Sequence, residues 1–558
     1  MPESFYKTGA CRQQALLLPA RIDDYVGADN AARGIEAYVE VLDLAKLGFR
    51  HAVRRVGAGQ PPYDPADLLK LYLYGYLNQI RSSRRLERET GRNVELMWLL
   101  GGLVPGYRTI AKFHAENAAP LRQANRDFVL MLRQLGLVGG ELVAIDGAFF
   151  DGNASKGSIV TRERLEKRLA RLDGAIAELA SEHAAAEGEA AAYAAALDSN
   201  DAAETQAAAA AAKRRAEAAS QHAALVARRE AAAADLARLE ASGETQLSRT
   251  DPDARLLSKS GQSVSGYNVQ IAVDAAHKLI VAAEAVNDGN DTGQLHAMAQ
   301  AARAAVGAET LQAVADAGYY NGETLKACED GGIEAMVPEP QHGKRLDKAG
   351  RFGLDAFAYE AGADAYRCPA GELLAAMRGG RKDATGKLRV RYASRRLVCA
   401  GCALRTQCLS PRGERRVIER WEHEVVIERH RARMATGEAE AVMRRRKALA
   451  EHPFGTLKCR AGYRHFLVRG FAKVRGELGL MVLCYNFTRV LNIIGLKKLV
   501  AWLAMRCFWP AIWRLRELLA ALVRVLGSFD RWGTELPASR ARPLRRHAML
   551  LGHPGLAI

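Results

Sequence analysis

Apolar and polar positions divide the chain into stretches of different period. Residues 1 to about 140 repeat with helical spacing. Within them DLLKLYLYGYLNQI (67–80) is apolar around most of its circumference, which predicts a helix buried among other helices. The following RSSRRLERETGRNVELMWLLGG sets Arg84, Arg88 and Arg92 four apart on one helical stripe, with Ser82 or Ser83 able to cap its start. Short, closely spaced helices with an arginine stripe suit a helix-turn-helix-like reader of DNA, or a solvated face balanced by Glu87 and Glu89. ELVAIDGAFF (141–150) then switches to a strand pattern. Residues 162–242 are rich in Ala, Glu, Arg and Lys, and place Leu165, Leu169, Leu172, Ile176 and Leu179 at heptad spacing. LDSND (197–201) interrupts this pattern, and Leu225, Leu236 and Leu239 resume an apolar face. Two antiparallel helices inserted as a hairpin are predicted, with a dimerising coiled coil as the competing arrangement.

Strand signals return in SGYNVQIAVD (265–274) and KLIVAAEAVND (278–288), a hairpin-like pair. A helical stretch (292–306) leads to a strand at LQAVADAGYYNG (311–322), a short helix at ETLKACEDGG (323–332) and a strand at IEAMVPEP (333–340). This alternation predicts a mixed α/β sheet. Residues 341–425 are rich in Gly and Arg and are expected to be irregular. The chain should be helical again from 426 to about 527, with a mobile basic tail from 528. The expected organisation is an N-terminal all-α domain (1–140), a core of 141–161 and 243–340, the inserted hairpin (162–242), a Cys-containing insertion (341–425), C-terminal helices completing the core (426–497) and a helical extension with the tail (498–558).

Charge adds a partner to this picture. Among 558 residues Lys and Arg number 80 against 63 Asp and Glu, a net charge of +17. Such an excess favours a polyanion, since each phosphate neutralised releases a condensed counterion. The start, MPESFYKTGACRQQ, has no apolar core of signal-peptide type. The apolar stretch 478–505 is broken by Arg489, Asn492, Lys497 and Lys498, so no uncharged run reaches the roughly 18–20 residues of a spanning helix. A cytoplasmic chain with no membrane partner is expected. Nine cysteines, an odd number, fit reduced thiols.

Two aspartates sit where strands are expected to end, Asp146 after LVAI and Asp316 after LQAVA. A carboxylate there is costly unless a cation or a hydrogen-bond network pairs it; turn and cap roles are the plain alternative. On adjacent strands the two could share divalent metals for in-line phosphoryl transfer. Glu451 lies between the basic run Arg444–Lys447 and Lys458, seven residues on, which would share its face on a straight helix; Pro453 intervenes. Glu477, on a more apolar helix, is a rival third acid. Cys368, Cys399, Cys402 and Cys408 form a CP…CxxC…C array that could hold a tetrahedral structural Zn2+, or be incidental thiols. Cys11, Cys328, Cys459, Cys484 and Cys507 read as packing residues. His452 reads as a surface or capping histidine.

The motifs YDPADLLKLYLYGYLNQIRSSRRLERETGRNVELMWLL (63–100), VAIDGAFF, GYNVQIAVD, VADAGYYNGE (314–323), AEHPFGTLK and LCYNFTRVLNIIG (483–495) resemble those of bacterial insertion-sequence DDE transposases, in that family's order, from about residue 15 to 497. The resemblance implies an RNase H-like catalytic domain that cuts and rejoins DNA strands with Mg2+ (or Mn2+). It implies Asp146, Asp316 and Glu451 as the metal-binding acids, and Lys458 as a DNA contact behind the third. The family's arginine before that acid matches Arg446, which the resemblance implies as a further DNA contact; its tyrosine is replaced by Met443. Where related chains carry Ser-Lys-Phe after the first acid, this one has Ala148-Phe149-Phe150. The implied partners are double-stranded DNA (terminal inverted repeats and target) and a second protomer or more, working at the bacterial nucleoid. A nuclease on the same fold that cuts without joining, and an inactive or domesticated DNA-binding relative, are the competing readings.

Overall fold

The computed structural model describes residues 21–53, 61–195, 202–259, 261–340, 350–382 and 386–506. It divides into a unit of residues 1–499 and a second unit from 500, of which residues 500–506 are described and helical. The predicted helix from 507 and the basic tail lie outside the described residues, as does the LDSND turn.

In the first unit α1 (Ala31–Glu40), α2 (Pro65–Leu77), α3 (Ser83–Thr90), α4 (Val94–Leu99), α5 (Tyr107–Glu116) and α6 (Ala118–Gln134) precede the first strand. Helix α2 starts on a proline, with the Asp64 side chain accepting from Ala66 N at 2.8 Å. Every residue from Leu68 to Tyr76 is buried, as its all-round apolarity predicts. The one cation among them, Lys70, reaches Glu36 at 2.8 Å.

The main sheet comprises β1 (Leu142–Asp151), β4 (Arg255–Lys259), β5 (Gln262–Asp274), β6 (Ile280–Val286), β7 (Leu311–Val314) and β8 (Ile333–Met336). Strand β5 pairs antiparallel with β1, from Val143↔Asp274 to Asp151↔Gly266. Its other edge carries β4 and then β6, both antiparallel. On its far side β1 pairs in parallel with β7, and β7 with β8. The predicted mixed α/β sheet is therefore present. Side chains alternate between its faces. Val143, Ile145, Ala313 and Ala315 pack with α9 (Leu295–Val306). Leu142, Ala144, Val314 and Met336 pack with Ala439, Val442, Leu449 and Ala450 of a later helix.

Between β1 and β4 the short strands β2 (Ile159–Thr161) and β3 (Gln246–Ser248) pair antiparallel. They close the base of α7 (Arg162–Ala195) and α8 (Ala202–Ser242), the predicted hairpin. Leu165 and Leu239 bury its base, and Arg229 reaches Asp173 at 2.5 Å across the two helices.

Residues expected to be irregular instead form a second sheet: β9 (Ala358–Glu360), β10 (Ala365–Arg367), β11 (Leu373–Ala376), β12 (Arg381–Lys382), β13 (Leu388–Ala393) and β14 (Val417–Trp421). Its strands are too short to show a periodicity, and its core is small: Phe357, Tyr366, Leu374, Tyr392 and Ile418. Then come α10 (Gly322–Asp330) between β7 and β8, α11 (Glu424–Met434), α12 (Gly437–Gly455), a π-helical turn (Thr456–Arg460) and α13 (Phe471–Ile494). Helix α13 is apolar and long enough to cross a membrane by composition, yet 67% of its apolar window is buried inside the protein. It packs against α2, α6 and β6.

One ion pair joins the N-terminal helices to α13. Glu477 is fully buried; Oε1 accepts from Arg81 Nη2 at 2.7 Å and from Tyr76 Oη at 2.7 Å, and Oε2 accepts from Leu467 N at 2.9 Å. Arg81 also donates to His465 O at 2.6 Å and lies over the rings of Tyr76 and Tyr463. Removing one member of such a pair strands the other charge. Arg81→Met or Glu477→Leu alone is therefore expected to cost about 3–5 kcal/mol, and the double variant to recover most of the loss. Denaturation of the three variants checks this; equal stability of the single and double variants would contradict it.

Candidate active site

The parallel pairing of β1 and β7 ends at Ala144↔Val314. Asp146 and Asp316 each lie two residues past that last pair, so by the period of two they follow Ala144 and Val314 on the face packed by α12. Only one of the two strands stops there. At β7 the Asp316 carboxylate accepts from Gly318 N at 2.8 Å, capping a 3-10 turn at Ala317–Tyr319. The predicted strand over 311–322 is thus cut at Val314. Strand β1 continues to Asp151 along β5, so Asp146 lies within a strand rather than at its end; it pairs with Ile271. Only the parallel partner ends beside it.

Asp146 Oδ1 accepts from Gly147 N at 2.9 Å. Burial pushes its carboxyl up to about 6; the Gly147 N–H counters this, the charge of Asp316 adds to it, and Arg446 and Lys259 oppose. The two aspartates therefore feel each other, with cations near them. Arg446 is half-buried on α12. Lys458, in the π-turn, donates to Phe149 O at 2.7 Å and lies 4.6 Å from the Phe150 ring centroid. Burial lowers its pKa; Asp151, Cys459 and Asp146 work against the shift. The departure Ala148-Phe149-Phe150 is thus where Lys458 docks.

Glu451 is placed otherwise. Its neighbours Leu449 and Ala450 are buried against the sheet, but its own side chain is 63% exposed, with Lys447 Nζ at 3.9 Å, a surface pair of little worth. Among the described residues no three His, Cys, Asp or Glu side chains stand close enough together to hold a metal ion. The structure brings Asp146 and Asp316 together and leaves Glu451 on the exposed flank of the covering helix. Glu477, the rival, has both oxygens committed to Arg81, Tyr76 and Leu467. His452 is half-buried, with Nδ1 3.3 Å from Tyr485 Oη.

Arg84 and Arg88 are exposed on α3, whose Leu86 and Thr90 face inward. Arg84 lies over the Tyr107 ring, and Arg92, beyond the helix end, pairs with Glu89. Cys368, Cys399, Cys402 and Cys408 line one cavity beneath the second sheet, with Phe352, Leu374 and Arg416. Burial raises the Cys408 thiol; Arg416 counters, and the other three cysteines add to the rise. Ser394 Oγ lies 2.8 Å from Cys399 Sγ. Cys328 and Cys484 are buried, as expected of packing residues, whereas Cys459 is exposed; Cys11 and Cys507 lie outside the described residues.

Two residues at the site have no signature in the sequence. Lys259 ends β4, and its ammonium is 3.0 Å from Asp291 Oδ2. Asp291 lies in NDGNDTG, between β6 and α9, one polar residue among many.

Two family models match the chain. One, described as Transposase domain (DUF772), covers residues 20–116, from the N-terminal helices through α5. The other, described as Transposase DDE domain, covers residues 367–491, which include the four cysteines, Glu451 and most of α13. Both agree with the resemblance to insertion-sequence DDE transposases. Asp146 and Asp316 lie between the two matched segments. No curated protein and no solved structure gives a match.

The raised carboxyl has a consequence for stability. With a folded pKa of about 6 against 3.8, Asp146 weakens the fold progressively as pH rises from 4 through 6, by at most about 3 kcal/mol above that range. In protein stripped of divalent ions, Asp146→Asn is expected to raise the melting temperature at pH 8 and to leave it nearly unchanged at pH 4. A variant that lowers it at pH 8 would contradict this environment for Asp146.

Proposed function

We propose that the chain, whose two matched segments are those of transposases, is an insertion-sequence transposase. It would nick DNA at the element's ends and join the freed 3′-hydroxyl to target DNA by two-metal phosphoryl transfer. The observation that carries this reading is the pair Asp146 and Asp316, side by side past the end of a shared parallel register. A sheet of antiparallel strands on one side of β1 and parallel ones on the other supports the RNase H-like reading of the core.

Hard carboxylate oxygens, one from a half-buried group that its neighbour's charge disfavours, suit a divalent cation. Asp146, Asp316 and Glu451 would hold Mg2+ or Mn2+, which when bound supplies the positive charge that activates the attacking oxygen and stabilises the leaving one. Arg446 and Lys259 favour the ionised Asp146 that a cation needs. Glu451, exposed beside Lys447 on the helix that packs over the acid-bearing strands, would have to turn toward the pair to complete the set. Lys458, anchored on β1, presents its charge to a phosphate along the same strand.

In this reading residues 1–140 recognise the terminal inverted repeats through Arg84, Arg88 and Arg92. Residues 141–161 and 243–340 form the catalytic core, completed by 426–497; the hairpin (162–242), the cysteine-containing insertion (341–425) and the extension (498–558) complete the domain organisation. Two or more protomers hold the DNA ends, in the bacterial cytoplasm at the nucleoid. The exposure of Glu451, with no three potential ligands grouped among the described residues, favours an inactive DNA-binding relative.

The test is a nicking and strand-transfer assay with Mg2+ on DNA carrying the repeats that flank the gene. Asp146→Asn and Asp316→Asn are expected to lower nicking by on the order of 10³-fold or more with end binding retained. Arg84→Ala with Arg88→Ala should narrow the preference for repeat over random DNA, whereas Lys458→Ala should weaken both together. Nicking that survives Asp146→Asn would refute the mechanism; nicking without joining would leave a nuclease.

The four-cysteine cavity is proposed as a structural zinc site, with the ion drawing the thiols inward. Purified protein should then contain about one zinc per chain, lost in Cys399→Ser with Cys402→Ser. Zinc-free protein with all four thiols open to alkylation would leave only packing.

A further inference from the structure

A polar network lies behind the two aspartates. Asp291 is 5% exposed, and its carboxylate accepts from Asn268 Nδ2 at 2.8 Å and Gln270 Nε2 at 2.8 Å on Oδ1, and from Lys259 Nζ at 3.0 Å on Oδ2. Gln270 pairs with Gly147 across β1 and β5, and its Oε1 accepts from Tyr319 Oη. Two glycines show how tightly the carboxylate is seated. A Cβ on Gly147, the residue after Asp146, would fall 2.7 Å from Asp291 Oδ1 and 2.3 Å from Gln270 Nε2. A Cβ on Gly318 would fall 2.9 Å from Asp316 Oδ1 and 3.8 Å from Asp291 Oδ2. Asp291 thus sits beside the residue that follows Asp146 in β1 and beside the 3-10 turn that Asp316 caps. Two of its three bonds are to buried amides, which fix the carboxylate, and the third goes to Lys259.

What it positions is an ammonium. Lys259 ends β4 at its last pair with β5, opposite Gln262, and its side chain is 53% exposed, so the group is anchored on one side and open on the other. The charges of both Asp146 and Asp316 act on it. An exposed lysine alone would sample many rotamers; bonded to a buried carboxylate held by two amides, it is pre-organised. Its three donors allow one bond to Asp291 and others to an incoming oxygen.

We propose that Lys259, positioned by Asp291, is a further catalytic residue that contacts a non-bridging oxygen of the phosphate being cut, and that it also competes with the divalent cation for the charge of the Asp146–Asp316 pair. This rests on the transposase reading for the identity of the phosphate. Its ammonium would stabilise charge that develops on the phosphoryl group as the attacking oxygen bonds and the 3′-oxygen leaves.

Two measurements on the full-length protein test it. In single-turnover nicking, Lys259→Gln should be slowed about 10–100-fold while repeat DNA binds within about threefold of wild type. Lys259→Arg should restore most of the rate, and Asp291→Asn should fall between. In Mn2+ titrations without DNA, followed by the spectrum of the free ion, Lys259→Gln should bind Mn2+ roughly 3–10-fold more tightly, because a competing cation is gone. A merely structural lysine would not tighten metal binding. Wild-type nicking by Lys259→Gln together with unchanged Mn2+ affinity would overturn the inference alone. A wild-type protein that binds no Mn2+ and cuts no DNA would overturn the transposase reading with it.

Discussion

Three residues of parallel pairing between β1 and β7 fix the geometry on which the rest of the site depends. Parallel strands require a long crossover, and here it holds the hairpin, β5, β6 and α9. That crossover brings Asp146 and Asp316, 170 positions apart in the sequence, to the same distance past the same last pair. Because side chains alternate, a one-residue slip would turn one of the two to the opposite face. The register is guarded on both faces: Val143 and Ala313 pack toward α9, Ala144 and Val314 toward α12. The acids owe their pairing to apolar residues that do no chemistry.

The same strand also carries the link between the N-terminal helices and the acids. Past Asp146, β1 runs to Asp151, whose N donates to Arg464 O at 3.2 Å and whose O accepts from Phe466 N at 2.8 Å. That segment is held in turn by Arg81, through His465 O, and by Glu477, through Leu467 N. A buried ion pair contributes little net stability against an apolar substitute, but it tolerates few alternative geometries. The pair therefore fixes how α2 and α3 sit relative to the end of the acid-bearing strand. If α3 reads a DNA end, the ion pair helps set where that end lies.

Legibility in the sequence followed the size of the physical signal. The buried α2, the hairpin heptads and the β5–β6 pair were readable because many residues repeat one period. The second sheet was not, because strands of two to six residues among glycines and arginines leave no period to read. Asp146 and Asp316 stood out as charges after apolar runs, although the sequence could not show that β1 continues beyond the first. Lys259 and Asp291 had no such contrast: each lies in a polar stretch, and only folding makes Asp291 a buried carboxylate with three donors. Glu477 was visible as an acid on an apolar helix, but its partner Arg81 lies some 400 residues away in the chain.

The helix that covers the two aspartates shows why spacing alone could not place Glu451. Seven residues separate Glu451 from Lys458, which on a straight α-helix would put both on one face. Pro453 does not end α12, which runs on to Gly455. Having no N–H, the proline leaves the Leu449 carbonyl without its usual partner, and the chain beyond winds into a π-turn at Thr456–Arg460. This looser turn breaks the shared face. Lys458 turns inward to Phe149 O, while Glu451 stays outward beside Lys447. Arg446, earlier on the helix, is near enough for its charge to act on Asp146. The helix and the π-turn thus set Arg446 and Lys458 toward β1 by their backbone path, while Glu451 stays on the exposed flank beside Lys447.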